Sequence, residues 1–158
     1  MLFITRGDLL NSNCNFVLHQ ANCQKRMGAG LALKIAKRYP QAEKADNEYP
    51  LEGRARLGKY SVAKVEEEKW VVNLYAQNYP GKAKSKQEQS TRYLSLKNSI
   101  TLFVQALAKK EQKEKKQYSI GLPYKIGSDL AGGDWGTVEE ILIDISESLK
   151  VDFYIFKL

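Results

Sequence analysis

The residues best suited to chemistry gather in one stretch, residues 19–32, which reads HQANCQKRMGAGLA. It holds His19, the only histidine of the chain, and Cys23, one of two cysteines. Histidine titrates near neutral pH and suits acid–base catalysis. Two interpretations of His19 stay open: a catalytic group, or a strand-end histidine whose ring is satisfied by backbone hydrogen bonds.

The two cysteines do not indicate a metal site. Cys14 and Cys23 lack CxxC spacing, and with one histidine they complete four zinc ligands only if carboxylates help. We interpret them as free thiols in or near the core. The sequence therefore predicts no metal site and no cofactor.

Two glycine-rich loops each follow a strand and precede a helix, in residues 19–30 and 121–135. A helix N-terminus offers unpaired N–H groups that attract phosphate, and glycine lets the backbone approach a ligand closely. Neither loop has the GxGxxG or GxxxxGK[ST] pattern of dinucleotide and nucleoside triphosphate sites. Two such loops at one sheet edge predict a diphosphate clamp, and two ordinary turns are the alternative.

Strands and amphipathic helices alternate along the chain. We predict strands at 2–5, 15–20, 59–65, 69–77, 118–123 and 152–157. A helix runs from Gly28 to a stop at Pro40, a long helix carries the stripe 96–107, and a last helix starts at a Thr137–Glu140 capping box. The polar stretch 41–58 is assigned no element. This pattern predicts one α/β domain over 1–158, with helices on both faces of a mixed sheet.

Composition limits location and partners. The chain has 158 residues, 43% of them hydrophobic, and no apolar run near the ~18 residues of a membrane span. The N-terminus does not resemble a signal peptide, so we expect a cytoplasmic protein without a membrane partner. The net charge of +7 suits an anionic ligand or nucleic acid. The lysine-rich segments 81–86 and 109–116 lack aromatic residues and are typical of solvated surface.

Four segments in order resemble the macro domain, an ADP-ribose-binding module. They are GDLL at 7–10, VLHQANCQKRMGAGLALKIAKRYP at 17–40, VVNLYAQ at 71–77 and GLPYKIGSDLAGGDWGTVEEI at 121–141. The match is similar to the branch that holds yeast-type ADP-ribose-1″-phosphate phosphatase and the terminal ADP-ribose glycohydrolases. It implies a three-layer α/β/α fold with a mixed central sheet, and ADP-ribose or a derivative as ligand.

The resemblance also implies roles for individual residues. Asp8 and Leu9 would hold the adenine, which Phe156 packs against, and Asn22 would contact the distal ribose. The phosphate loops would be Met27, Gly28, Ala29 and Gly30, then Gly127, Ser128, Leu130, Ala131, Gly132 and Gly133. Asp8 as a turn or cap residue and Phe156 as a core aromatic are the alternatives.

The reaction, if any, is less defined than the ligand. Where the glycohydrolases have a nucleophilic lysine and a loop acid, this chain has Gln77 and Ala131. The lysine mechanism therefore does not transfer to this chain unless another lysine folds over the ligand; the candidates are Lys82, Lys84 and Lys86. Gln77 could position water.

A phosphatase would use His19 with Asp129 or Asp134, although Asp134 could instead cap the last helix. Three hypotheses remain: an ADP-ribose-1″-phosphate phosphatase, a hydrolase of ADP-ribosylated protein or nucleic acid, and a non-catalytic reader.

Overall fold

The computed structural model describes residues 1–128 and 131–158, and a six-stranded sheet lies at its centre. The strands are β1 (Leu2–Arg6), β2 (Phe16–Asn22), β3 (Tyr60–Glu66), β4 (Lys69–Gln77), β5 (Ile120–Pro123) and β6 (Phe153–Lys157). Their order across the sheet is β1-β6-β5-β2-β4-β3. Only β3 and β4 pair antiparallel, as the short connection between them allows. The six predicted strands and the mixed sheet are confirmed.

Helices cover both faces of the sheet and complete three layers. They are α1 (Gly30–Arg38), α2 (Pro40–Glu48), α3 (Lys86–Glu114) and α4 (Trp135–Leu149). Alternate residues of β2 enter different cores: Leu18 packs with side chains of α3 and α4, whereas Val17 packs with side chains of α1 and α2. None of the described helices is long and apolar enough to cross a membrane.

The polar stretch after Pro40 contains a helix that the sequence did not predict. Pro40 does follow the end of α1, but it also occupies the first turn of α2, where its missing N–H costs nothing. Ala42 and Asp46 are the buried residues of α2, so the helix has almost no apolar stripe. Periodicity could not reveal it for that reason.

The start of α4 also differs from the prediction. Asp134, not Thr137, is the N-cap, and its carboxylate accepts a hydrogen bond from the Thr137 N–H at 3.0 Å. The Thr137–Glu140 capping box is therefore wrong, and the alternative assignment of Asp134 as a cap is confirmed. Aspartate and threonine are both favoured N-caps, so residue type alone did not separate them.

Strands β2 and β5 separate toward their carboxyl ends. They pair only at Phe16–Ile120 and Val17–Gly121, although β2 continues to Asn22. Beyond this short pairing, the chain leaves β2 toward α1 and leaves β5 toward α4 in the opposite direction across the sheet. In open α/β sheets such a divergence creates a crevice in which ligands bind.

Candidate functional site

A cavity of about 450 Å³ occupies the crevice between β2 and β5. The predicted site residues that line it are His19, Asn22, Met27, Gly28, Ala29, Gly30, Gln77, Gly127 and Ala131. Those that do not line it are Asp8, Leu9, Ser128, Gly132, Gly133, Asp134 and Phe156. Asp129 and Leu130 lie outside the described residues. The structure thus brings the first loop and part of the second to one cavity.

The N-terminus of α1 opens into this cavity without a side-chain cap. Its N-cap residue is Ala29, which has no side chain able to accept a hydrogen bond, and Gly30, Leu31 and Ala32 line the cavity. The first N–H groups of a helix have no partner within the helix. Gly30 has φ +55°, a conformation that glycine adopts without strain. These open donors and the helix dipole favour an anion at this position.

The second loop contributes differently, because its helix is capped. The Asp134 carboxylate accepts hydrogen bonds from the N–H and the hydroxyl of Thr137 in the first turn of α4. The carboxylate therefore takes the place at this helix N-terminus that an anionic ligand would need. The loop is nonetheless tightly packed: a Cβ on Gly133 would lie 2.5 Å from the Gly127 carbonyl oxygen. The predicted clamp is therefore asymmetric, with an open helix start on one side and loop backbone on the other.

Asn22 and Gln77 are engaged in local hydrogen bonds at the strand ends. The Asn22 side chain accepts from the Gln24 N–H at 2.9 Å and donates to the Arg26 carbonyl at 2.8 Å, which fixes the first loop. The Gln77 side chain accepts from Gln20 at 2.7 Å and donates to the Tyr79 carbonyl at 2.9 Å. Each amide keeps one donor and one acceptor position for a ligand.

His19 lies at the base of the cavity and is 2% exposed. Its Nε2 is 2.6 Å from the Asn73 Oδ1, and its Nδ1 has no partner among the described residues. Burial lowers the pKa of His19, and the Asn73 hydrogen bond, the Asp46 charge and a backbone contact with Gln20 oppose that shift less strongly. The imidazole is therefore neutral at physiological pH, and the Asn73 side chain is its hydrogen-bond partner at Nε2.

A directional hydrogen-bond chain fixes the protonation of that ring. The Asn73 amide nitrogen donates to the Ala42 carbonyl, an obligate acceptor, so Asn73 Oδ1 must face His19 and accept from Nε2–H. The same amide nitrogen donates to Ser61, and the chain continues through Tyr75 to Asp46. His19 Nδ1 is consequently the unprotonated nitrogen.

A buried ion pair closes this chain. Arg56 donates to Asp46 at 2.8 Å, and both side chains are at most 1% exposed. Arg56 also lies over the rings of Tyr49 and Tyr75 at 5.2 and 4.9 Å from their centroids. Asp46 lines the cavity, but Arg56 neutralises its charge, so it does not repel an anionic ligand.

The predicted adenine side lies next to the cavity rather than within its lining. Asp8 caps the short 3-10 helix Leu9–Asn11, and its carboxylate accepts from the Leu10 N–H at 3.0 Å and from the Asn11 side chain at 3.1 Å. Leu9 and Phe156 belong to the same apolar cluster as Met27, which does line the cavity. This cluster connects the two regions.

Several residues of the site had no signal in the sequence. Arg26 and Lys125 line the cavity and add positive charge on opposite loops. Asp46 and Asn73 are polar residues that the sequence offers no reason to bury. Arg92 is 4% exposed and binds loop carbonyls near the cavity. The burial of a single polar side chain leaves no periodic pattern in the sequence. The burial of Asp46, Asn73 and Arg92 is therefore visible only in the structure.

No protein-family model matches this sequence, and no curated protein sequence matches it. Solved structures are similar. The macrodomain of Mycobacterium tuberculosis DarG is 22% identical, with a TM-score of 0.70 over 100% of this chain and 98% of that one. A macrodomain protein from Streptomyces coelicolor is 23% identical, with a TM-score of 0.71 over 100% and 99%.

A third similar structure has a bound ligand. Thermosipho africanus DarTG in complex with ADP-ribose is 17% identical, with a TM-score of 0.71 over 98% of this chain and 41% of that one. These likenesses cover the whole sheet and both helical layers. The chain has the macrodomain fold.

Proposed function

We propose that this protein binds ADP-ribose in the cavity between β2 and β5. The observation that carries the proposal is the uncapped N-terminus of α1, which opens into the cavity at the diverging strand ends. A diphosphate places two negative charges beside these N–H groups, and Arg26 and Lys125 add positive charge at the rim. Similar structures with bound ADP-ribose, including a Trypanosoma brucei macrodomain, support this ligand.

The two ends of the ligand find different surroundings. The adenine would lie toward Asp8, Leu9 and Phe156, where an exposed carboxylate stands beside an apolar cluster. The distal ribose would lie toward Asn22 and Gln77, whose amides each retain a free donor and acceptor. Apolar contacts at one end and polar groups at the other are typical of a nucleotide site.

Calorimetry with ADP-ribose tests the proposal. We expect saturable binding by the wild type and a loss of about tenfold or more in Asp8→Ala, since a charge-assisted hydrogen bond to the adenine amine is removed. Asn13→Ala serves as a matched control on the same exposed loop. Absence of heat at millimolar ADP-ribose would contradict the proposal.

A second candidate function is the removal of phosphate from ADP-ribose 1″-phosphate. The observation that favours it is His19, a neutral imidazole that lines the base of the cavity and whose unprotonated Nδ1 is buried without a partner among the described residues. In this reaction water attacks phosphorus and gives a proton to His19, the bond between phosphorus and the ribose oxygen breaks, and that oxygen takes up a proton and leaves as the 1″-hydroxyl. We expect phosphate release by the wild type and loss of release, but not of binding, in His19→Gln.

The same assay separates the remaining alternatives. Release of ADP-ribose from a modified peptide or oligonucleotide, without phosphate release, identifies a glycohydrolase. Binding with neither activity identifies a reader of ADP-ribose. Alanine variants of Asp129, Asp134, Lys82, Lys84 and Lys86 in the active assay identify the residues that assist either reaction.

A further inference from the structure

Arg92 is a buried cation that holds two cavity loops from behind. Its Nη1 donates to the Gly81 carbonyl at 2.6 Å and to the Ala131 carbonyl at 3.2 Å, and its Nη2 donates to the Tyr79 carbonyl at 3.2 Å. Gly81 and Ala131 line the cavity, whereas Arg92 does not. One side chain of α3 therefore fixes the distance between the loop after β4 and the second glycine loop.

The charge of Arg92 is not balanced by a carboxylate. It forms no ion pair within residues 1–128 and 131–158, and its Nε has no partner there either. Arginine stays protonated in proteins, so a full positive charge lies behind the cavity wall. A buried charge compensated only by carbonyl dipoles is costly unless an anion comes near.

These carbonyl contacts determine where the neighbouring N–H groups point. In a trans peptide the C=O and the following N–H point in opposite directions, and none of the described peptides is cis. With the Gly81 and Ala131 carbonyls directed at Arg92, the N–H groups of Lys82 and Gly132 are directed away from it. Neither N–H donates to an acceptor among the described residues, and of these loops Gly81 and Ala131, rather than Lys82 and Gly132, line the cavity.

We propose that Arg92 is a positioning residue for the ligand: by binding the Gly81 and Ala131 carbonyls it holds two loops that line the cavity at a fixed separation around the ligand. The close packing of the loops supports it, since a Cβ on Gly132 would lie 2.8 Å from the Lys82 Cγ. The inference rests on the proposed ADP-ribose function and identifies the residue that holds the two cavity loops together.

Binding of ADP-ribose and AMP by Arg92 variants tests the proposal. AMP carries the adenine end but lacks the part of ADP-ribose that reaches the second loop. In Arg92→Met we expect ADP-ribose affinity to fall about tenfold or more while AMP affinity changes less than about twofold. Arg92→Lys, which keeps the charge but cannot span three carbonyls, should lose part of the affinity. Arg54→Met is the control, an exposed arginine changed in the same way.

Equal losses for both ligands, or no loss for ADP-ribose, would overturn the proposal. Amide hydrogen exchange on the ligand-free variants gives a second readout that does not depend on ADP-ribose. We expect about tenfold faster exchange at Gly133, whose N–H donates to the Gly127 carbonyl, in Arg92→Met and an unchanged rate in Arg54→Met. If the wild type binds no ADP-ribose, the proposed function fails, and unchanged exchange in Arg92→Met separately rejects the loop contact.

Discussion

Two buried arginines on opposite faces of the sheet are held in different ways. Arg56 is 0% exposed and pairs with the Asp46 carboxylate at 2.8 Å, so its charge is neutralised within the fold. Arg92 is 4% exposed and binds three loop carbonyls without a carboxylate among the described residues. The comparison indicates that Arg56 stabilises the structure, whereas Arg92 keeps positive charge available beside the cavity.

The largest expected effect concerns the neutralised pair. Asp46→Ala leaves the Arg56 charge buried without its partner and also removes the acceptor of the Tyr75 hydroxyl. We expect the free energy of unfolding to fall by about 3–5 kcal/mol. Urea unfolding measures it, with Asp46→Asn as a variant of similar volume. A change below that of Arg92→Met would contradict the distinction between the two arginines.

The next effect in size concerns the arginine without a carboxylate. Arg92→Met leaves three loop carbonyls without this donor, but it removes the cation itself and so leaves no unpaired charge in the fold. We expect a loss of about 1–3 kcal/mol in the free energy of unfolding, smaller than that of Asp46→Ala. For ADP-ribose binding, measured on the folded variants, we expect the opposite order: relative to its loss of stability, Arg92→Met should lose more affinity than Asp46→Ala. If Asp46→Ala lost more of both, the proposed difference between the two arginines would be contradicted.

A smaller effect is the pH dependence of the free energy of unfolding that His19 causes. This ring belongs to the hydrogen-bond chain that ends at the Asp46–Arg56 pair. Burial lowers the pKa of His19 below its ordinary value of 6.5 in the folded protein. As pH falls below 6.5 the unfolded chain binds a proton first, so stability decreases by up to about 1.4 kcal/mol per pH unit until the folded pKa is reached. Asp46 and Asn73 face the ring and limit this decrease.

Unfolding at pH 7.5, 6.5 and 5.5 measures that dependence. Because the chain has one histidine, His19→Gln isolates its contribution. The variant should show a shallower decline between pH 6.5 and 5.5 than the wild type. Parallel curves would mean that the pKa of His19 does not differ between the folded and unfolded chain.

The smallest change in stability is expected at an exposed ion pair, which serves as the reference for the two buried arginines. Lys25 and Glu52 are 2.9 Å apart, and the Glu52 side chain is 73% exposed. Glu52→Gln should leave the unfolding midpoint unchanged within measurement error, because solvent screens the pair. A shift as large as that of Arg92→Met would show that charge removal alone, rather than burial, sets the ranking.

The sequence predicted the apolar framework of this protein better than its polar interior. Alternating apolar residues located the six strands, and Met27, Gly28, Ala29 and Gly30 of the first glycine loop line the cavity. Helix α2 escaped detection because Ala42 and Asp46 alone are buried in it, and the start of α4 was misassigned because Thr137 and Asp134 are both good caps. Asn73, Asp46 and Arg92 were missed because burial of a polar residue depends on a partner that lies far away in the chain.

The pairing of β1 with β6 has a consequence for how the chain folds. These strands join Leu2 to Phe153 and Arg6 to Lys157, contacts that span nearly the whole sequence. Closing so long a loop is entropically costly, so we expect this pair to form late, after β2 and β4 have established the centre of the sheet. During synthesis β1 therefore waits with its backbone N–H and C=O groups unpaired, which leaves it open to strand pairing with other nascent chains.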